Sequence, residues 1–199
     1  VIVKVCGITS LRDGLAAASY GAHAVGFNFY PRSPRFVPPE AARAIGSRLP
    51  EEVWKVGVFV NEPRERVEDI AGMAGLDIVQ LHGDETPADC PAGLRVWKAF
   101  RVGETFDPGR LADYPAEAFL LDTAAGDAYG GTGRTFDWRL AAGLPYRIVL
   151  AGGLDAGNVA EAIRLAQPWG VDVCSRIETQ PGCKDLQKMA AFLQAVKAT

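Results

Sequence analysis

The chain has 199 residues, 48% of them hydrophobic, with 21 Lys and Arg against 24 Asp and Glu for a formal charge of −3. This composition excludes disordered, collagen-like and disulfide-dense classes, and it offers no broad basic footprint for a nucleic acid. No apolar run approaches the ~18 residues of a membrane span and the N-terminal Val1 to Cys6 lacks a signal-peptide pattern, so the expectation is a cytoplasmic protein with no membrane partner.

Taken in chain order, short β-branched and aromatic runs alternate with stretches rich in Ala, Leu, Arg and Glu. Eight strands are read at Ile2 to Cys6, His23 to Phe29, Val53 to Val60, Asp77 to His82, Arg95 to Phe100, Ala118 to Asp122, Arg147 to Ala151 and Val171 to Cys174. Helices are expected from Ser10, after Pro38-Pro39-Glu40, after Asn61-Glu62-Pro63, and from near Asp155 and Lys184. Thr86 to Pro91 and Thr105 to Asp113 are too short for full helices, so the fourth and fifth are expected to be curtailed. Strands that alternate with helices pair in parallel, and eight such units predict an α/β fold, a compact (β/α)8 TIM barrel forming one domain over residues 1–199. A doubly wound open sheet is the structural alternative. It normally carries a glycine fingerprint after its first strand, whereas here Cys6-Gly7-Ile8-Thr9 follows.

A barrel places its chemistry at the C-terminal ends of the strands, with phosphate bound by the loops after strands 7 and 8. Gly152-Gly153 and Ser175-Arg176 stand in those two loops. The glycine pair is either a tight turn or a backbone cradle for phosphate oxygens. Cys6 closes strand 1, as a structural thiol or a functional one. Alternation sends Lys4 and Cys6 to the barrel interior, where an unpaired ammonium is expensive, and Asp172 on neighbouring strand 8 is its expected partner. Asp122 ends strand 6, as a turn carboxylate or an acid–base group. Arg35 follows strand 2 and carries a fork suited to a carboxylate. His82 either lines the mouth after strand 4 or caps a turn. Gly130 to Thr135 lacks the Lys and leading Gly of a nucleotide-binding P-loop, which we reject there. Four scattered cysteines without a C-x-x-C pattern, and two histidines, point to free thiols and no metal.

An ordered set of motifs resembles the phosphoribosylanthranilate isomerase family along essentially the whole chain. They are Lys4 to Thr9, Gly26 to Arg35, Val56 to Asn61, Val79 to Glu85, Leu120 to Thr123, Gly130 to Trp138, Ala151 to Leu154 and Pro181 to Asp185. The resemblance implies a barrel that performs an Amadori rearrangement in tryptophan biosynthesis, without cofactor or metal, on a small phosphosugar substrate. It further implies Cys6 as general base, Asp122 as general acid, Arg35 as the contact for the anthranilate carboxylate, and Gly152, Gly153 and Ser175 as phosphate contacts. The chemistry asks for a protonated acid and an ionised base at neutral pH, although a free Asp has a pKa of ~3.9 and a free thiol one of ~8.5. Lys4 or a helix dipole is expected to lower the thiol. The family commonly has a small residue where this chain has Arg176, which either reaches the phosphate or turns away and offers only its N–H. A histidine-pathway aminoaldose isomerase, typically with two aspartates, and a silent phosphosugar-binding barrel are the competing readings. Cys6 argues against the first, and retention of both an acid and a base argues against the second. One sequence does not separate a monomer from a homodimer.

Overall fold

The computed structural model describes residues 1–103, 106–123 and 135–199. Its eight parallel strands are β1 Ile2–Val5, β2 Ala24–Asn28, β3 Trp54–Phe59, β4 Ile78–Leu81, β5 Arg95–Val102, β6 Ala118–Thr123, β7 Ile148–Leu150 and β8 Gly170–Val173. They close in the order β1 to β8. The register sets Lys4 opposite Asp172 and Val5 opposite Val173 where β8 meets β1. Each strand lies within two residues of its expected bounds, because β-branched runs mark strands well and only their frayed ends are ambiguous.

Helix α1 (Leu11–Tyr20) starts where Ser10 Oγ accepts from Asp13 N at 3.2 Å and stops at left-handed Gly21. α2 (Pro39–Gly46) and α3 (Arg64–Ala74) open behind prolines, whose fixed φ suits a first turn. α4 spans Val159–Ala166 and begins later than expected, because the Asp155 carboxylate accepts from Gly157 N at 2.8 Å and makes a turn first. α5 (Leu186–Lys197) is capped by Asp185, whose Oδ1 accepts from Gln187 N and Lys188 N. Among the described residues, 3₁₀ turns and no full helices follow β4 and β5, at Pro87–Asp89 and Pro108–Asp113, as the short gaps predicted. The connection after β6 also carries a 3₁₀ turn, Trp138–Ala141. A small antiparallel hairpin that the sequence reading missed, β9 (Glu178–Gln180) with β10 (Cys183–Lys184), follows β8.

Two cores follow from strand alternation. Val3, Val5, Phe27, Leu121 and Phe192 fill the layer between barrel and helices, and a buried side chain of this size contributes about 1.5–3 kcal/mol. Inside the barrel, Ala24, Val56, Ile78, Trp97, Leu120 and Val149 pack beneath the mouth. Trp54, Trp97 and Trp169 close its lower end, with ring centroids 5.8–6.5 Å apart. Above this plug the inward residues turn polar, and there the site begins. Among the described residues, no helix is long and apolar enough to cross a membrane.

Candidate active site

A cavity of about 260 Å³ opens at the C-terminal ends of the strands, lined by Cys6, Arg35, Gln80, His82, Asp122, Asp172 and Cys174, among others. Five strand ends thus deliver the polar groups to one mouth. The Lys4 Nζ to Asp172 Oδ1 distance is 2.9 Å, in the pairing expected from alternation and barrel closure. Burial alone would push the Lys4 ammonium down, but Asp172 and Cys6 outweigh it and hold the group above its ordinary value. Burial pushes the Asp172 carboxyl up to about 7, against the pull of Lys4.

Cys6 is buried, and its thiol lies well below the usual range. A hydrogen bond from Cys174 is the first cause, desolvation opposes it, and Lys4 and then Lys184 add attraction. Cys174 is shifted the other way by the same bond, so the pair titrates together and their shared proton is biased toward Cys174. The expected role of Lys4 is therefore present, but the larger influence comes from a thiol 168 places along the chain. All four cysteines are free.

Asp122 is buried across the mouth. Its Oδ1 accepts from Thr123 N at 2.8 Å, and its Oδ2 lies 3.3 Å from His82 Nε2, close enough for attraction but outside hydrogen-bond alignment. Gln80 Nε2 donates to His82 Nδ1 at 2.8 Å. His82 therefore lines the cavity beside the acid and caps no turn. Its loop is pinned by buried Glu85, which accepts from Asn61 N, Gly83 N and Lys98 Nζ.

Gly152 and Gly153 have φ of +85° and +66°, so the glycine pair does form the tight turn. It does more, since a Cβ on Gly152 would stand 2.6 Å from Asp122 Oδ1 and 2.7 Å from Thr123 N. Only glycine allows the loop after β7 to pass so close to the acid. Asn158 braces this loop, donating to Gly153 O and accepting from Asp155 N, both at 2.9 Å. Gly152, Gly153, Ser175 and Arg176 line one narrow cleft of about 30 Å³ that also touches Asp122 and Asp172. Arg176 is exposed at its rim. The rejected P-loop, Gly130 to Arg134, lies outside the described residues.

Arg35 reaches the mouth across Gly7, where a Cβ would meet Arg35 Cδ at 2.7 Å and where φ is +74°. In place of an open fork, the structure shows Arg35 bound to Glu178, with Nε to Oε1 at 2.9 Å and Nη2 to Oε2 at 2.7 Å. Lys184 Nζ meets the same Oε1 at 2.9 Å. Burial favours the neutral acid at Glu178, yet the bonds from Arg35 and Lys184 outweigh it and hold the carboxyl below its usual range. The sequence reading assigned Glu178 and Lys184 no role. The available signals were the Pro181 to Asp185 motif, which contains Lys184, and for Glu178 an acid in a short segment that the strand pattern left unassigned.

Residues 3–195 match the family model of N-(5'-phosphoribosyl)anthranilate (PRA) isomerase. The chain is 59% identical to the N-(5'-phosphoribosyl)anthranilate isomerase of Solibacter usitatus, covering 100% of this chain and 98% of that protein. It is 50% identical to the same enzyme of Pelobacter propionicus, over 99% and 96%. Among solved structures, phosphoribosyl anthranilate isomerase from Thermotoga maritima superposes with a TM-score of 0.91 at 43% identity, covering both chains fully. One in complex with reduced 1-(o-carboxyphenylamino)-1-deoxyribulose 5-phosphate superposes with a TM-score of 0.88 at 42% identity, again over both full chains.

Proposed function

The chain belongs to the N-(5'-phosphoribosyl)anthranilate isomerase family, and from that premise we propose how its own residues carry the reaction. The activity converts N-(5'-phosphoribosyl)anthranilate into 1-(2-carboxyphenylamino)-1-deoxyribulose 5-phosphate, a step of tryptophan biosynthesis. Asp122 gives its proton to the furanose ring oxygen, the C1'–O bond breaks, and the anthranilate nitrogen forms an imine to C1'. Cys6 as thiolate then takes the proton from C2', leaving an enolamine, which tautomerises to the ketone. The acid and base are regenerated when the protons return, so nothing is consumed.

The observation that carries this assignment is that Cys6, shifted toward its thiolate, and Asp122 line a single cavity. Both are enclosed, which strengthens their interaction with developing charge and keeps water from the imine. The cleft of Gly152, Gly153, Ser175 and Arg176 takes the 5'-phosphate on backbone N–H groups, with the Arg176 cation added at the rim. Arg35 takes the anthranilate carboxylate, and His82 closes the wall beside the acid. The distribution of roles is tested by the loss of substrate fluorescence in Cys6→Ala and Asp122→Ala. A positioned acid or base is worth about 10²–10⁴ in rate, and each variant should fall by that range while remaining folded. Either variant turning over within tenfold of the wild type would remove its residue from the scheme.

A further inference from the structure

Three charged side chains, one from the loop after β2 and two from the β9–β10 hairpin, meet at the Arg35 end of the cavity. Arg35 comes from the loop after β2, Glu178 from β9 and Lys184 from β10. The side chains of Glu178 and Lys184 are 4% and 0% exposed, and that of Arg35 is 14%. A guanidinium offers two edges suited to a carboxylate, one formed by Nε and Nη2 and the other by the two terminal nitrogens. Glu178 occupies the first edge, with contacts of 2.9 and 2.7 Å. Because those bonds fix the plane of the guanidinium, they leave the terminal edge as the one available to a second carboxylate.

We propose that Glu178 is a positioning residue for substrate recognition, clamping Arg35 by one edge so that the other is presented to the anthranilate carboxylate. This rests on the role of Arg35 proposed above. Lys184, donating to Glu178 Oε1 at 2.9 Å and to Cys174 O at 3.2 Å, anchors the clamp to the end of β8. Gly182 N, 3.3 Å from the same Oε1, ties in the hairpin turn. Recognition of the aromatic acid is thereby coupled to a hairpin that never touches the reacting carbons.

The test uses two substrates that differ only in the carboxylate, made by condensing ribose 5-phosphate with anthranilate or with aniline. With the anthranilate substrate, Glu178→Gln should raise KM about tenfold and leave kcat within about twofold, because one charge-assisted fork is weakened and the reacting atoms are not. With the aniline substrate, which has nothing for Arg35 to hold, the same variant should differ from the wild type by less than about twofold. A merely structural role predicts equal penalties on both substrates, and that result overturns the proposal. Glu178→Asp, which keeps the charge and withdraws it by one methylene, should show a smaller penalty confined again to the carboxylate substrate, and it serves if Gln at this position fails to fold. Arg35→Ala run in parallel separates the two layers of inference. No carboxylate-dependent penalty there refutes the role of Arg35 itself, whereas a penalty in Arg35→Ala but not in the Glu178 variants refutes the clamp alone.

Discussion

Replacing Lys4 by Met separates what the buried ion pair does for stability from what it does for catalysis. At 2.9 Å the attraction between Lys4 and Asp172 is about 6 kcal/mol with an effective dielectric constant of about 20. Desolvating the two ions costs several kcal/mol each, so the intact pair contributes little net stability. Removing one partner is different. Asp172 is pushed to about 7 even with Lys4 present, so without it the carboxyl stays protonated at neutral pH. Leaving one partner of a buried pair uncompensated costs about 3–5 kcal/mol, which for a domain of this size lowers Tm by roughly 6–20 °C. A raised carboxyl contributes stability that is fully present below the unfolded pKa and lost as pH rises through the folded one; the wild type levels off above about 7 while the variant, raised further, goes on losing, so the deficit of Lys4→Met should be flat from pH 4 to 7 and grow above it. The double variant Lys4→Met, Asp172→Leu should regain most of the loss, since both charges are gone. Catalysis should not be regained, because Lys4 is also one of the charges that lower Cys6. A loss of only 1.4 kcal/mol of that attraction is a tenfold loss of thiolate. Both variants should therefore alkylate slowly at Cys6, read by mass spectrometry apart from the exposed Cys183, with iodoacetamide at neutral pH and recover in alkali, with kcat/KM following the same profile. An unshifted alkylation profile, or a double variant as unstable as the single, would refute the reasoning.

Two further expectations follow from close contacts. Gly152→Ala should lower stability by about 1–3 kcal/mol and kcat by ten- to a hundredfold, because φ is +85° and the new methyl would meet Asp122 Oδ1 at 2.6 Å. Kinetics beside a denaturation curve check it, and an Ala variant with wild-type kcat would show that the loop does not set the position of the acid. His23 is lowered first by burial, and its Nδ1 accepts from Val3 N at 3.1 Å, a bond that protonation removes. A depressed histidine contributes stability present above ~6.5 and lost as pH falls through the folded value. With the residue exposed, the effect is a few tenths of a kcal/mol. Denaturation at pH 7 and pH 5 should show it in the wild type and not in His23→Asn, whose side-chain oxygen accepts at any pH. Equal pH responses would count against it.

Much of the site was legible because a strand encodes two faces in alternate residues. Lys4, Cys6 and Asp172 were located by parity and Asp122 by its place at a strand end, and barrel closure then made β8 the neighbour of β1. The Lys4–Asp172 pair follows from those two facts alone. Arg35 was recognised as a carboxylate-binding fork but not as a paired one, because its partner lies 143 residues away on a hairpin with no periodic signature. His82 was left between two roles for a similar reason, since a loop side chain has no face until the neighbouring strands are in place.

What the sequence determined by itself is therefore the strand and helix order, the inward and outward faces, the short fourth and fifth connections and the chemical kinds of group at the mouth, all of which are written in local spacing. Only the tertiary structure decided the close pairings. Cys174 beside Cys6, Glu178 between Arg35 and Lys184, and Gly152 against Asp122 come together because eight strands close on one another. Such contacts join residues far apart in the chain at distances of a few ångströms, and local periodicity carries no information about which distant loops will meet.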